Sequence, residues 1–280
     1  MLFFRGPFPA GNDLEAFGAL TESSDYPIKY GYMNVGETAD SRRVFAFYPH
    51  QSEFVCPEDQ LIVLPDTTGD DDAVFLPSME TAFQITHDTA PRLGEWVVVF
   101  GLGVIGTLVT LLLLRTGARV VAGDPRPERR NRLEREGVAT FDPEAPLATS
   151  VLMELTNGGP DLAVNTSAAH RALQLAIDTL RAEGTVVEAS WYGSTRANLS
   201  LGAAFHRKRL RIRSSQVSHL NPEMAPRWQR SRRTASVIDL LDDVHPARFI
   251  SHRFALDDAA RAYRLIDEGH ESVFQVVLEP

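Results

Sequence analysis

The chain has 280 residues, of which 44% are hydrophobic and 23% are charged, and its formal net charge is −9. This composition is typical of a globular protein with room for about two domains, and it excludes extensive disorder. The acidic balance argues against a nucleic-acid partner, because phosphates require a positive surface. A single cysteine, Cys56, excludes a disulfide framework and a cysteine-rich zinc site. Lysine occurs only at Lys29 and Lys208, a bias that a high-salt cytoplasm and a GC-rich genome explain equally well.

The sequence predicts a cytoplasmic protein without a membrane partner. Its first residues contain an early arginine and several prolines and lack the apolar stretch of a signal peptide. Residues 96–114 carry no charge and are long enough to span a bilayer. Three glycines within six residues of that stretch indicate a turn instead.

Residues 1–90 are predicted to form an irregular β domain. Short apolar runs at 43–49, 52–57 and 60–66 are separated by turn-forming residues, which indicates strands. Residues 73–89 follow as a helical linker, interrupted or restarted near Pro77.

From residue 91 to residue 248, strands alternate with helices. The predicted strands are 96–101, 118–124, 161–167, 184–193 and 209–217, and the predicted helices are 104–117, 127–137 and 171–184. This rhythm predicts an α/β fold with a doubly wound parallel sheet. Residues 249–280 contain a further helix and a last strand, which either returns to the β domain or extends the sheet.

The strongest motif follows the first strand of this alternation. It is a G-x-G-x-x-G pattern made of Gly101, Leu102, Gly103, Val104, Ile105 and Gly106. Gly101 permits the tight turn, Gly103 allows a diphosphate to approach the backbone, and Gly106 permits close packing of helix on strand. The diphosphate of a dinucleotide then lies at the helix N-terminus. The pattern therefore predicts a Rossmann-type dinucleotide site.

The residues after the second strand bear on the choice of cofactor. Asp124 lies 23 residues after Gly101, where a carboxylate accepts hydrogen bonds from the adenosine ribose and repels a 2′-phosphate. NAD(H) is therefore favoured over NADP(H). Arg126, Arg129 and Arg130 keep the second cofactor open, because they suit a 2′-phosphate if Asp124 turns away.

The order of these segments resembles the medium-chain dehydrogenase/reductase superfamily, also called zinc-type alcohol dehydrogenase-like. The resemblance rests on the motif GLGVIG, the preceding PSMETAF, and the closing HRFALDDAARAYRLIDEGHESVFQVVLEP. It implies a GroES-like catalytic domain followed by a Rossmann domain. The chain begins late relative to that pattern, which indicates either a start codon assigned downstream or an incomplete GroES-like domain. Because members of the family are commonly dimers or tetramers, the resemblance also implies a homo-oligomer.

The zinc ligands of the family are not matched. Tyr32 and Met33 occupy the place of its His-Glu pair, no cysteine precedes them, and the later ligand position falls near Pro77. The four-cysteine lobe is missing as well. Since a catalytic zinc needs about three protein ligands, the resemblance implies a zinc-independent branch, distantly similar to bacteriochlorophyllide dehydrogenase-like members.

Without zinc, a side chain must move the proton that accompanies hydride transfer. Tyr32 is a candidate hydroxyl donor, and its alternative role is to fill the space that the ligand vacates. Glu80 is a candidate proton relay or a helix-start carboxylate. Thr81 is placed near the nicotinamide by the family pattern or serves as a cap. His50 is a candidate proton carrier or a surface histidine in a turn.

Two strand ends are candidates for cofactor contact, because ligands bind at the carboxyl ends of parallel strands. Asn165, Thr166 and Ser167 end one strand, and Ser190 and Trp191 end the next.

The sequence thus predicts an NAD(H)-dependent, zinc-independent oxidoreductase that interconverts a secondary alcohol and a ketone on a small-molecule substrate. Two alternatives stay open. One is an enone- or quinone-type C=C reductase, whose relatives usually prefer NADPH. The other is a non-catalytic nucleotide-binding protein.

Overall fold

The computed structural model describes residues 31–193, 195–270 and 272–280. The chain divides into two compact units: Met1–Pro77 with Ser231–Pro280, and Ser78–Arg230. The sequence-based boundaries lay after residues 90 and 248. The segment before residue 90 joins the second unit because its buried Asp88 accepts hydrogen bonds from Arg213 and Ser215. The segment after Arg230 joins the first unit, where Thr67 donates a hydrogen bond to Asp242.

The described part of the first unit starts with a small antiparallel sheet of three strands in the order β1-β2-β3. The strands are β1 (Asn34–Glu37), β2 (Arg43–Ala46) and β3 (Leu61–Val63), followed by the short helix α1 (Asp70–Ala73). The predicted strand at 52–57 is wrong. Val55 is 93% exposed, Pro57 has no N–H to donate, and Phe54 stacks on Tyr48 instead of joining a ladder.

The second unit contains a six-stranded parallel sheet in the order β6-β5-β4-β7-β8-β9. This is the strand order of a doubly wound fold, so the predicted α/β class is confirmed. From β4 the chain adds strands first on one side of the sheet (β5 and β6) and then on the other (β7, β8 and β9), so the strand order reverses between β4 and β7. The strands are β4 (Trp96–Phe100), β5 (Arg119–Gly123), β6 (Ala139–Phe141), β7 (Leu162–Asn165), β8 (Thr185–Glu188) and β9 (Arg211–Ser214).

Helices cover this sheet, and its central strands are fully buried. Residues 97–100 of β4 have no exposed surface, which explains their uninterrupted apolar run. The helices of this unit are α2 (Leu76–Thr89), α3 (Val104–Arg115), α4 (Pro127–Glu134), α5 (Ala148–Leu155), α6 (His170–Thr179) and α7 (Ala204–Arg207). The predicted restart near Pro77 is confirmed, since α2 begins at Leu76.

The chain then returns to the first unit. Its remaining elements are α8 (Arg230–Val244), β10 (Ile250–Ala255), α9 (Ala259–Glu268) and β11 (Gln275–Glu279). The last strand β11 pairs with β10 in a parallel two-stranded sheet, so among the described residues it does not extend the six-stranded sheet. None of the helices in the described ranges is long and apolar enough to cross a bilayer.

Candidate functional site

The turn between β4 and α3 is tight and rich in glycine; it comprises residues 101–103 and is called the elbow below. Gly101 has φ of +87°, a conformation that residues with a Cβ rarely adopt. A Cβ placed on it would lie 2.8 Å from the backbone of Ser167. Gly101 is therefore required both by the turn and by the close approach of the loop after β7.

The other two glycines of the motif meet opposite surroundings. A Cβ on Gly103 would have no atom within 4 Å, whereas one on Gly106 would lie 1.8 Å from the carbonyl oxygen of Gly101. Gly106 is thus needed by the protein itself, for helix α3 to pack on the elbow. Gly103, at the N-cap of α3, borders open space. The bare position at Gly103 suits a group that comes from outside the chain.

Asp124 lies beside this elbow, at the carboxyl end of β5. Its carboxylate is 2% exposed and accepts hydrogen bonds from the backbone N–H of Leu102 at 2.7 Å and of Arg126 at 2.9 Å. Arg129 adds an ion pair at 3.3 Å. A carboxylate has about four lone-pair sites, and these three contacts leave room for one further donor.

A cavity of about 260 Å³ opens between the elbow and Asp124. Gly101, Gly103, Arg126, Arg129 and Thr166 are among its lining residues. The Nε atom of Arg129 is buried without a hydrogen-bond partner among the described residues. The open position at Gly103 and the carboxylate of Asp124 fit the diphosphate and adenosine ribose of a dinucleotide.

Thr166, at the carboxyl end of β7, closes the elbow from the other side. Its hydroxyl donates to the carbonyl of Gly101 at 2.7 Å, and its backbone N–H donates to the carbonyl of Phe100 at 2.9 Å. The residue fixes the position of the loop that the glycines form.

A polar network joins the ends of β7 and β8. Asn165 donates to Glu188 at 2.7 Å and to the hydroxyl of Tyr192 at 3.1 Å, and it accepts from the hydroxyl of Ser167 at 2.6 Å. Tyr192 and the backbone N–H of Ser190 also donate to Glu188, at 3.2 and 2.8 Å. The hydrogen-bonding capacity of the Asn165 side chain is filled by these contacts, so it orders the site from within.

Sequence reasoning missed Glu188. The register of β7 and β8 pairs it with Asn165, and a carboxylate at the end of a buried apolar strand is the signal that the sequence offers. Burial, followed by the charge of Glu188, raises the pKa of Tyr192 to about 12. Its predicted neighbour Trp191 is 48% exposed.

The four predicted proton-transfer residues fall in different units. Glu80, which is 7% exposed, and the half-buried Thr81 lie on α2 in the unit that contains the six-stranded sheet. Tyr32 and His50 lie in the other unit. Burial raises the pKa of Tyr32 and lowers the pKa of His50. The His50 ring packs against Gly31 and lies 3.4 Å from the hydroxyl of Tyr263, so it is not a simple surface histidine.

A larger cavity, of about 930 Å³, lies at the opposite edge of the sheet. It is lined by the residues that precede or begin the strands, including Glu95, Asp161, Glu183 and Arg211. Ligands of doubly wound sheets bind at the carboxyl ends of the strands, so the smaller cavity is the candidate site. Within the described ranges, no group of three or more His, Cys, Asp or Glu side chains is arranged to hold a metal ion.

Comparison with known proteins gives matches over most of the chain. Residues 104–232 match the family described as zinc-binding dehydrogenase. An uncharacterized zinc-type alcohol dehydrogenase-like protein, YphC of Escherichia coli strain K12, is 28% identical over 228 residues, which are 79% of this chain and 60% of that protein. The D-guloside 3-dehydrogenase of the same organism is 32% identical over 184 residues, which are 64% of this chain and 52% of that enzyme. The matches therefore span only about half to three fifths of these relatives.

A solved structure shares the fold. A short chain alcohol dehydrogenase (rspB) from E. coli CFT073, crystallised with NADH, superposes with a TM-score of 0.69 at 18% identity, covering 84% of this chain and 76% of that one. An identity this low is evidence for the fold alone.

Proposed function

We propose that this chain, whose matches support the zinc-type alcohol dehydrogenase-like family, is an oxidoreductase that binds NAD(H) and interconverts a secondary alcohol and a ketone. One observation carries the proposal: Gly103 borders open space in a cavity that Asp124 and Arg129 also line. One relative is named a D-guloside 3-dehydrogenase and another is named zinc-type alcohol dehydrogenase-like, which favours a hydroxyl-bearing small molecule as the proposed substrate class.

The groups that surround the cavity have proposed tasks in binding the dinucleotide. The N–H groups at the start of α3 hold the diphosphate, since a helix N-terminus favours negative charge. Asp124 accepts a hydrogen bond from the adenosine ribose through the acceptor site that its internal partners leave open. Thr166 and Ser167 keep the elbow in shape. The nicotinamide cofactor, when bound, supplies the hydride acceptor or donor.

For the proton, we propose the residues that the family resemblance points to. Tyr32, whose burial raises its pKa, stays protonated at neutral pH and is suited to donate a hydrogen bond to a substrate oxygen. The carboxyl group of Glu80, which is buried, is proposed to orient the substrate or relay a proton, and Thr81 is proposed to lie near the nicotinamide. His50 is the remaining proposed carrier, and its lowered pKa keeps it neutral near pH 7.

NAD(H) is the proposed cofactor because Asp124 places a buried negative charge where NADP(H) carries its 2′-phosphate. The rival is NADPH, together with C=C reduction. It is favoured by Arg126 and Arg129, which line the same cavity, and by Arg130, which donates to the backbone carbonyl of Asp124.

Zinc independence is proposed from the sequence. Cys56 is the only cysteine in the sequence, and Tyr32 and Met33 occupy the positions of the histidine and glutamate of the family. Thiolates and imidazoles are the ligands that zinc prefers, and this chain does not supply the family's set.

A fluorescence titration with NADH, followed by an NAD⁺-dependent screen of secondary alcohols, tests the proposal. We expect saturable NADH binding, weaker NADPH binding, and NADH formation with at least one alcohol. Equal or stronger NADPH binding with turnover of enones supports the reductase instead. Absence of NADH binding refutes the proposed function, and binding without turnover across both panels supports the non-catalytic alternative.

A further inference from the structure

The polar network at the ends of β7 and β8 contains a charge that the proposed binding of diphosphate and adenosine does not use. Glu188 is half-buried and accepts three hydrogen bonds, from Asn165, Tyr192 and the backbone of Ser190. Among the described residues it forms no ion pair, since all of its partners are neutral. A carboxylate that only accepts from neutral donors keeps its negative charge uncompensated.

The charge of the network is that of Glu188 alone. Tyr192 has a pKa of about 12 and stays protonated at neutral pH, and its hydroxyl proton is committed to Glu188. Asn165 carries no charge, and its two N–H donors are committed to Glu188 and Tyr192. The network therefore places one negative charge at the carboxyl ends of β7 and β8.

The topology of the sheet indicates what lies over this network. In doubly wound sheets a dinucleotide lies across the crevice where the strand order reverses, with one nucleotide half on each side. Here the reversal is between β4 and β7. Asp124, at the end of β5, marks the adenosine side. The nicotinamide half therefore lies on the side of β7 and β8, where Asn165 and Glu188 end neighbouring strands.

The nicotinamide ring changes its charge during the reaction. The oxidised ring is a cation, and it becomes neutral when it takes a hydride, with both electrons of the C–H bond, from the alcohol carbon, while the hydroxyl proton leaves to a base. A fixed negative charge nearby stabilises the cation and leaves the neutral ring almost unaffected.

We propose that Glu188 sets the balance between the oxidised and reduced cofactor, by binding the cationic ring of NAD⁺ more tightly than the neutral ring of NADH. This proposal rests on the proposed function, because it requires a nicotinamide dinucleotide in the crevice. Its consequence is that the bound cofactor releases hydride more readily than it would without the charge, which favours ketone reduction.

The test is the ratio of two dissociation constants, measured by NADH fluorescence and by competition of NAD⁺ against NADH. In Glu188→Gln we expect NAD⁺ to bind about tenfold more weakly relative to NADH, the order of effect of one unit charge roughly 10 Å away at an effective dielectric constant of about 20. Glu188→Asp keeps the charge and is expected to keep the wild-type ratio.

Two matched controls separate charge from structure. Tyr192→Phe disturbs the same network without removing charge. Glu183→Gln removes an exposed charge beyond the other end of β8. Both are expected to leave the ratio unchanged. A merely structural role for Glu188 would shift both affinities together and leave the ratio constant.

The outcomes are distinguishable. An unchanged ratio in a Glu188→Gln protein that still binds NADH overturns this inference and leaves the proposed function intact. A wild-type chain that binds neither dinucleotide overturns both. If Glu188→Gln does not fold, Glu188→Ala is measured in its place, and a ratio shifted about tenfold there but not in Tyr192→Phe supports the assignment.

Discussion

Gly103 and Gly106 lie three residues apart in the same motif, and we expect substitutions at these two positions to damage different properties. A side chain at Gly103 enters open space and would occupy the proposed place of the diphosphate. A side chain at Gly106 collides with the carbonyl of Gly101, 1.8 Å from its Cβ, and with the hydroxyl of Thr166 at 2.7 Å. Gly103→Val should therefore abolish binding with the fold intact, whereas Gly106→Ala should destabilise the fold.

The magnitudes follow from these surroundings. Overpacking typically costs about 1–3 kcal/mol, and Gly106→Ala belongs at or above the upper end because the obstacle is backbone. For a unit of this size, 3 kcal/mol corresponds to a drop in Tm of about 6–12 °C. Gly103 has φ of −69°, which other residues adopt readily, so its substitution costs less than about 1 kcal/mol. Losing two charge-assisted hydrogen bonds to phosphate costs about 3 kcal/mol or more, a loss of binding of at least about 100-fold.

Thermal unfolding followed by circular dichroism, together with NADH titration of the same samples, separates the two effects. We expect Gly103→Val to unfold within about 3 °C of the wild type and to bind NADH at least about 100-fold more weakly. Tight NADH binding by Gly103→Val would refute the placement of the diphosphate. A Gly106→Ala protein as stable as the wild type would refute the packing argument.

Three further predictions concern charge, pH and metal. Asp124→Asn should narrow the gap between the NADH and NADPH affinities by about tenfold. The control Asp142→Asn removes a more exposed charge, 3.8 Å from Arg130, and should leave this gap unchanged. Equal effects of the two substitutions would refute a specific role for Asp124. Burial holds the pKa of His50 in the folded protein below its ordinary value of 6.5, so the imidazole binds a proton more readily in the unfolded chain than in the folded one. Stability measured by urea unfolding should therefore fall as the pH drops through 6.5, less steeply in His50→Asn than in the exposed control His270→Asn. Elemental analysis of the purified protein should find no stoichiometric zinc, and one zinc per chain would overturn the proposed zinc independence.

The elbow was predictable because its requirements are local. A buried strand, a G-x-G-x-x-G turn and an apolar helix follow one another in the sequence. Backbone geometry requires Gly101 and Gly106, whereas Gly103 leaves open space beside the turn. The spacing also leads to Asp124. The partners of Asp124 were not predictable, because the contact with Leu102 requires β4 and β5 to be neighbours in register, with Phe100 beside Gly123.

The network around Glu188 was missed for a similar reason. Its members come from two strand ends that are 23 residues apart in the sequence, and only the pairing of β7 with β8 brings them together. Short elements were lost for another reason. Strand β6 has three residues and β10 mixes apolar with charged residues, so neither shows a clear period. At 52–57, an apolar run that resembles a strand has no strand to pair with in the part of the chain that the structure describes.

The hydrogen bond between Asp124 and the backbone of Leu102 has a consequence for protein engineering. The carboxylate that we propose discriminates between NAD(H) and NADP(H) also accepts a hydrogen bond from the loop that is the proposed binding site of both. Exchanging it for a small neutral residue, in order to admit a phosphorylated ribose, removes the acceptor for that buried N–H. A redesign toward NADPH therefore needs a second substitution that restores this acceptor, and a search through single replacements at position 124 will tend to trade cofactor choice against folding yield.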